Sequence, residues 1–259
     1  MHPRDAEAIA ALLERGIPVT LCTGRMYSGT REIAHSLGLR GPVACIDGSH
    51  IVDSTDDREL DSAPISDSGT AVLFEALARF TPAAFAFSGD RLYHDARGVQ
   101  YLEYLSTWSE RTEQVALLSD LKDWQTPEAS LAALVALGTP EQITGAERFL
   151  AGHARLLQTV SFEVSRPGFS GTWGLVVRAA GIDKGTAIDW IARHHGVTPA
   201  EVVAVGDWLN DIPMLRRAGY SFAMAQAPLT VKAAARHTLK ASSSSGGGLA
   251  EAALRSGLL

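Results

Sequence analysis

Apolar positions along the chain follow two periods, and the switches between them mark out the elements. Within residues 3–15, Ile9, Leu12 and Leu13 recur at helical spacing and Gly16 closes the run. Pro3 and Asp5 at its start are helix-opening residues. Residues 18–22 and 42–46 are short apolar runs and read as buried strands, with a helix over 27–37 between them. Residues 50–53 fit a further short strand. Residues 54–68 are rich in Asp and Ser and mark a crossing into a different region. There the pattern predicts a helix over 69–80 and a hairpin of 83–87 and 91–94 turning on Ser88-Gly89-Asp90. Strand, helix and strand follow at 131–137, 141–150 and 156–164, then a strand at 173–177. From Gly181 onward, helix and strand alternate, with a helix over 186–195, a strand over 202–205 and a helix over 212–218. This alternation is the signature of an α/β, doubly wound parallel (Rossmann-like) sheet. The run Ser242-Ser243-Ser244-Ser245-Gly246-Gly247-Gly248 reads as a mobile connector before a last helix over 249–255; anion binding by its hydroxyls is the less favoured alternative.

Composition narrows the class. With 46% hydrophobic and 20% charged residues in 259, the chain can bury a full core in one or two domains. A formal net charge of −6 argues against a general nucleic-acid binder, although an anionic substrate stays open because local groups decide it. No apolar stretch reaches about 18 residues, so no membrane span is expected. The first residues are polar and helical, without a signal peptide. The two cysteines, Cys22 and Cys45, each end an apolar run, so buried thiols in a reducing cytoplasm are expected.

Three segments carry candidate chemistry. Val202-Val203-Ala204-Val205 leads into Gly206-Asp207-Trp208-Leu209-Asn210-Asp211, which puts two carboxylates and an amide at the carboxyl end of a strand. Open α/β sheets bind ligands there. Two acids so close repel unless a cation separates them, and oxygen ligands suit Mg²⁺. The plainer alternative is that Asp211 caps the following helix. Cys22-Thr23-Gly24-Arg25 offers a hydroxyl, a glycine N–H and a guanidinium before a helix, which together make a phosphate cradle; a simple Thr cap is the alternative. Lys184, in Gly181-Ile182-Asp183-Lys184-Gly185, opens a helix whose dipole it opposes, and a bound anion would explain it. A lone lysine is more commonly a surface residue.

Taken in this order, the segments resemble the haloacid dehalogenase superfamily, and more closely its Cof-type phosphatases with a large inserted cap. Thr23-Gly24-Arg25 is similar to the family's second motif, Lys184 to its third and Gly206–Asp211 to its fourth. Ile46-Asp47-Gly48-Ser49 resembles its Asn-Gly-Ala turn with Asp in place of Asn. Ala223-Met224-Ala225-Gln226-Ala227 resembles its Ala-Met-Gly-Asn-Ala segment with two substitutions. The likeness implies a core of residues 1–60 and 178–259, and an α+β cap of residues 61–177 that closes over the site. It implies Mg²⁺ on Asp207 with Asp211 in support. It places the phosphate on Thr23, Gly24, Arg25, Lys184 and Asn210, with Thr23 and Lys184 catalytic. The substrate would be a small phosphorylated metabolite such as a sugar phosphate, hydrolysed through an aspartyl-phosphate.

The family's first motif, Asp-x-Asp-Gly-Thr, is absent. The resemblance places it roughly 35 residues before Thr23, where the chain offers 22 residues. The expectation is that the first core strand, with nucleophile and general acid/base, lies upstream, so that the chain by itself is inactive. Asp5-Ala6-Glu7 is the one local substitute, and its place at a helix start argues against it. Two other functions stay open: a catalytically dead phosphate-binding sensor or scaffold, and a phosphotransferase or phosphomutase. Among the remaining residues, His194-His195 fit a helix C-terminus better than a metal site. Trp108 and Trp124, and Arg91, Tyr93 and His94 on the hairpin, are secondary candidates for contact with substrate.

Overall fold

The computed structural model describes residues 1–105, 108–120 and 130–259. By contacts the chain divides into two compact units: Met1–Thr23, Arg31–Leu60 and Asp183–Leu259 form the first, Gly24–Thr30 and Asp61–Ile182 the second.

The first unit opens with helix α1 (Pro3–Glu14), which buries Ala8, Ile9 and Leu12 and ends at Gly16 with φ +73°. The expected helix over 27–37 is confined to α2 (Arg31–Ser36). Strands β1 (Pro42–Cys45), β2 (His50–Asp53) and β3 (Arg58–Ser62) form one sheet, with β1 and β2 antiparallel. The third strand lies inside the stretch expected to be only a crossing. Residues 18–22 also depart from expectation: no strand forms there, and Cys22 makes a single parallel bridge to Ala44. A buried parallel strand is normally held by ladders on both edges, and this one has a one-residue ladder on one side.

The second unit carries helix α3 (Asp67–Phe80), strands β4 (Ala83–Ser88), β5 (Arg91–His94) and β6 (Thr112–Gln114), and the short helix α4 (Leu102–Leu105). Strands β7 (Leu131–Gly138), β8 (Leu157–Glu163) and β9 (Trp173–Ala179), and helix α5 (Pro140–Ala151), complete it. Its six-stranded sheet has the order β6-β5-β4-β7-β9-β8 and is antiparallel except at β5–β6. Asp90 takes φ +58° between β4 and β5, as a tight hairpin needs. The fully buried run Ala-Ala-Phe-Ala-Phe-Ser of β4 and the apolar β7 form the middle of this sheet, and α3 and α5 contribute Leu73, Leu77, Ile143 and Leu150 to the same core.

The first unit resumes with α6 (Lys184–His194), β10 (Val203–Gly206), α7 (Ile212–Arg217), β11 (Tyr220–Ala223), α8 (Leu229–Ala234), β12 (His237–Thr238) and α9 (Gly248–Arg255). Here β10, β11 and β12 run parallel in that order, with helices between them, which is the doubly wound alternation. Ile188, Met214, Leu215 and Val231 pack around Ala204 and Ala223. Strand β10 lies at the edge of this sheet, so the N–H and C=O groups of Val203 and Val205 point away from β11. The serine-glycine run is tied down and is not a loose connector. Gly246 N–H donates to Ser242 C=O (2.8 Å), and Gly247 N–H donates to the Asp5 carboxylate (2.8 Å).

Candidate active site

Lys184, Asp211, Asp47 and Asn210 come together within the first unit. The α6 N-terminus is built by Asp183, whose Oδ1 accepts from Gly185 N–H (2.8 Å) and Thr186 N–H (3.0 Å). This fixes the first turn and with it Lys184, which is 6% exposed. Its ammonium donates to Asp211 Oδ1 at 2.6 Å and lies 3.8 Å from Asp47 Oδ1. Burial alone would lower its pKa, but the Asp211 and Asp47 carboxylates outweigh it and hold the ammonium charged above its ordinary range. Lys184 is therefore not the ordinary surface lysine of the plainer reading.

Asp211 does two jobs. Its second oxygen, Oδ2, accepts from Asp207 N–H (2.8 Å) and Trp208 N–H (2.9 Å), folding the turn after β10 back on itself. It makes no side-chain cap on α7, against the simpler expectation. Gly206 is required for this closure, because a Cβ there would sit 2.6 Å from Asp211 Cβ. Asn210, from the same turn, donates through Nδ2 to Asp47 Oδ1 at 2.7 Å.

Asp47 reaches the cluster from a strained turn. Ile46, Asp47 and Gly48 have φ of 50°, 54° and 104° in succession. Left-handed backbone is rare for a β-branched residue and costs of order 1–3 kcal/mol. The turn is held by Asp47 N–H donating to Thr23 C=O (2.8 Å), and Gly48 has only 3.0 Å between its missing Cβ and Asp183 C=O. Sequence reasoning met Asp47 only as a substitution inside a resemblance; a buried carboxylate aimed at Lys184 leaves no periodicity to read. Thr23 N–H in turn donates to Ala44 C=O (2.8 Å), which fixes Thr23 beside Asp47. Cys22 adjoins the same charges. Burial pushes its thiol up to about 12, with Asp47, Asp211 and Asp183 adding to the rise and Lys184 opposing it.

Asp207 is exposed, and its Oδ2 accepts from Gln226 Nε2 at 2.9 Å. Gln226 Oε1 accepts from Ser243 N–H (3.1 Å), so the serine-glycine run supports this carboxylate indirectly. Both oxygens of Asp211 are committed to Lys184 and the turn, whereas Asp207 lies exposed. Among the described residues no group of three or more His, Cys, Asp or Glu side chains is placed to hold a metal.

Gly24 and Arg25 belong by contacts to the second unit, where Met26 N–H donates to Trp108 C=O (2.9 Å) and Ser28 N–H to Asp90 Oδ1 (2.9 Å). Trp108 packs its ring near Phe87 and Tyr104, whereas Trp124 falls outside the described residues. His94 is buried, with Nδ1 2.8 Å from Asp95 C=O; Arg91 pairs with Glu113; Tyr93 is half-buried against the sheet core. His194 stacks on Trp190 with ring centroids 5.3 Å apart. Asp5, the local substitute for a nucleophile, is 8% exposed and spends both oxygens on backbone N–H groups.

A family model of haloacid dehalogenase-like hydrolases matches residues 1–252. A phosphoglycolate phosphatase of Methanopyrus kandleri is 26% identical over 246 residues, covering 95% of this chain and 86% of that protein. The pyridoxal phosphate phosphatase YbhA of Escherichia coli is 26% identical over 248 residues, covering 90% and 84%. A haloacid dehalogenase-like hydrolase from B. subtilis superposes with a TM-score of 0.80 at 20% identity, over 100% of this chain and 93% of that one. That likeness concerns the fold.

Proposed function

The chain belongs to the haloacid dehalogenase-like hydrolases and is a phosphatase of that family, and we propose that it works on small phosphomonoesters through Lys184, Asn210 and Thr23. The observation that carries this reading is the buried ammonium of Lys184 beside the Gly206–Asp211 turn, joined to Asn210 through Asp47. A charged donor and an amide donor held rigid at low exposure suit the equatorial oxygens of a phosphoryl group, where charge spreads during transfer. Thr23, fixed by its backbone next to Asp47, adds a hydroxyl. Gly24 and Arg25 follow it in sequence and are assigned the same anion.

Asp207 is the ligand this chain contributes to Mg²⁺, and Asp211 orients the turn that carries it. A divalent cation there supplies charge neutralisation between ester and attacking carboxylate. The attacking carboxylate, which forms an aspartyl-phosphate, and the acid that protonates the leaving alcohol are assigned to residues outside these 259, since the sequence contains no Asp-x-Asp. Residues 61–177 are assigned the choice of leaving group. No helix among the described residues is long and apolar enough to cross a membrane. Neither Cys22 nor Cys45 is joined in a disulfide, and the cytoplasm is the proposed setting.

The missing Asp-x-Asp favours one second reading, a phosphate-binding protein without turnover. Phosphate release from pyridoxal phosphate, phosphoglycolate and hexose phosphates, with Mg²⁺, separates the two. It is to be measured for the 259-residue chain and for the chain extended by its in-frame upstream codons. Release by the extended form, and its loss by about a hundredfold in Thr23→Ala, is the expected result. Binding without release in both forms selects the second reading.

A further inference from the structure

We propose that Asp47 is a built-in occupant of the anion site, whose carboxylate competes with phosphate for Lys184 and Asn210. This rests on the reading of those two residues as phosphate anchors. Asn210 Nδ2 donates to Asp47 Oδ1 at 2.7 Å, and Lys184 Nζ lies 3.8 Å from the same oxygen. One oxygen thus faces both donors, as a phosphoryl oxygen would. The ammonium is shared further with Asp211 Oδ1 at 2.6 Å, so one cation faces two carboxylates and the trio carries a net negative charge.

Such a site is poorly disposed toward a second anion. A phosphate dianion arriving at Lys184 and Asn210 meets Asp47 within a few ångströms, where like charges repel strongly even at an effective dielectric of about 20. Asp47 must swing away or be matched by an added cation before phosphate takes both anchors. The local backbone argues that its position is a built feature. Ile46 and Asp47 hold left-handed φ of 50° and 54°, and the Asp47 N–H bond to Thr23 C=O (2.8 Å) pins the turn. Strain of this kind persists only where surrounding structure enforces it. Asp47 therefore sets anion affinity, and through it the added positive charge that binding requires.

The test uses the full chain with inorganic phosphate, titrated by calorimetry at fixed pH and ionic strength. Asp47→Asn keeps the shape, tolerates left-handed backbone and removes the charge. Asp47→Ser removes charge and reach together. Lys184→Ala tests the anchor, and Asp61→Asn, at an exposed site, controls for net charge. Thermal melting establishes that each variant is folded. Asp47→Asn and Asp47→Ser should bind phosphate at least about tenfold more tightly than the parent chain, Lys184→Ala more weakly, and Asp61→Asn about equally. If Lys184→Ala weakens binding while neither Asp47 variant strengthens it, Asp47 is only structural and the inference falls. If Lys184→Ala binds like the parent, the anchor reading itself is wrong. A gain in Asp61→Asn equal to that in Asp47→Asn would reduce the effect to net charge and also overturn the inference.

Discussion

Asp5 and Gly247 lie 242 positions apart in sequence, and the carboxylate of one accepts the backbone N–H of the other at 2.8 Å. Asp5 Oδ1 also accepts from Leu249 N–H (2.8 Å) and Ala250 N–H (3.2 Å). Gly247, at the start of α9, has no side chain to cap it, so α1 supplies the cap from across the unit. Asp5→Ala should therefore lower stability by about 1–2 kcal/mol, seen as an earlier urea midpoint. Phosphate affinity should stay unchanged. An unchanged midpoint together with lost turnover in the extended chain would instead return Asp5 to the chemistry.

Lys184→Ala leaves Asp211 and Asp47 buried without their cation. Removing one member of a buried ion pair typically costs about 3–5 kcal/mol. Denaturant unfolding should register that loss, and Lys184→Ala with Asp211→Asn together should be less destabilised than the sum of the two single changes. Strict additivity would mean that the 2.6 Å contact between them contributes nothing.

Asp207→Asn should behave in the opposite way. The residue is exposed and touches Gln226 through one oxygen, so the melting temperature should stay within about 1–2 °C of the parent, as surface substitutions usually do. Mg²⁺ dependence of phosphate release by the extended chain should be lost, and more substrate should not restore it. Retained Mg²⁺ dependence would remove Asp207 from the ligand set.

Cys22 should be silent in the folded chain. With its thiol pushed up to about 12 by burial, it stays protonated at pH 8, and the thiolate is the reactive form. Iodoacetamide should label it slowly at pH 8 and rapidly in urea. The sign for stability follows from the raised folded value. The contribution is fully present below the unfolded pKa near 9.0 and is lost as pH rises from there toward about 12. Cys22→Ala should flatten that alkaline loss. Cys22 itself is half-buried, so rapid labelling without denaturant would show that its surroundings do not hold the thiol protonated.

How much of this was legible in the sequence varies with the range of the interactions. Local period and turn chemistry marked α1, the β4–β5 hairpin and the β7-α5-β8 succession to within a few residues, because side chains three, four or two positions apart share one face whatever lies beyond. The same reading made strands of residues 18–22, where hydrophobicity suited a strand but pairing reached only Cys22 and Ala44. Strand formation needs a partner, and a partner is a tertiary fact. Within the site, Asp207, Asn210, Asp211, Lys184 and Thr23 stood out by residue type and spacing. Their division of labour did not. That Asp211 turns its oxygens onto Lys184 and two backbone N–H groups, leaving Asp207 open, depends on a glycine closure at Gly206.

By itself, then, the sequence determined the alternation of elements, the apolar faces and the residue types gathered at the strand ends, since these follow from short-range sterics and hydrophobic period. The tertiary structure alone decided which charges meet. Asp47 and Asn210 are 163 positions apart and Asp5 and Gly247 further still. Such contacts exist only after the core has folded, because burial, not sequence distance, sets which carboxylate lies within reach of a buried ammonium or an uncapped helix end.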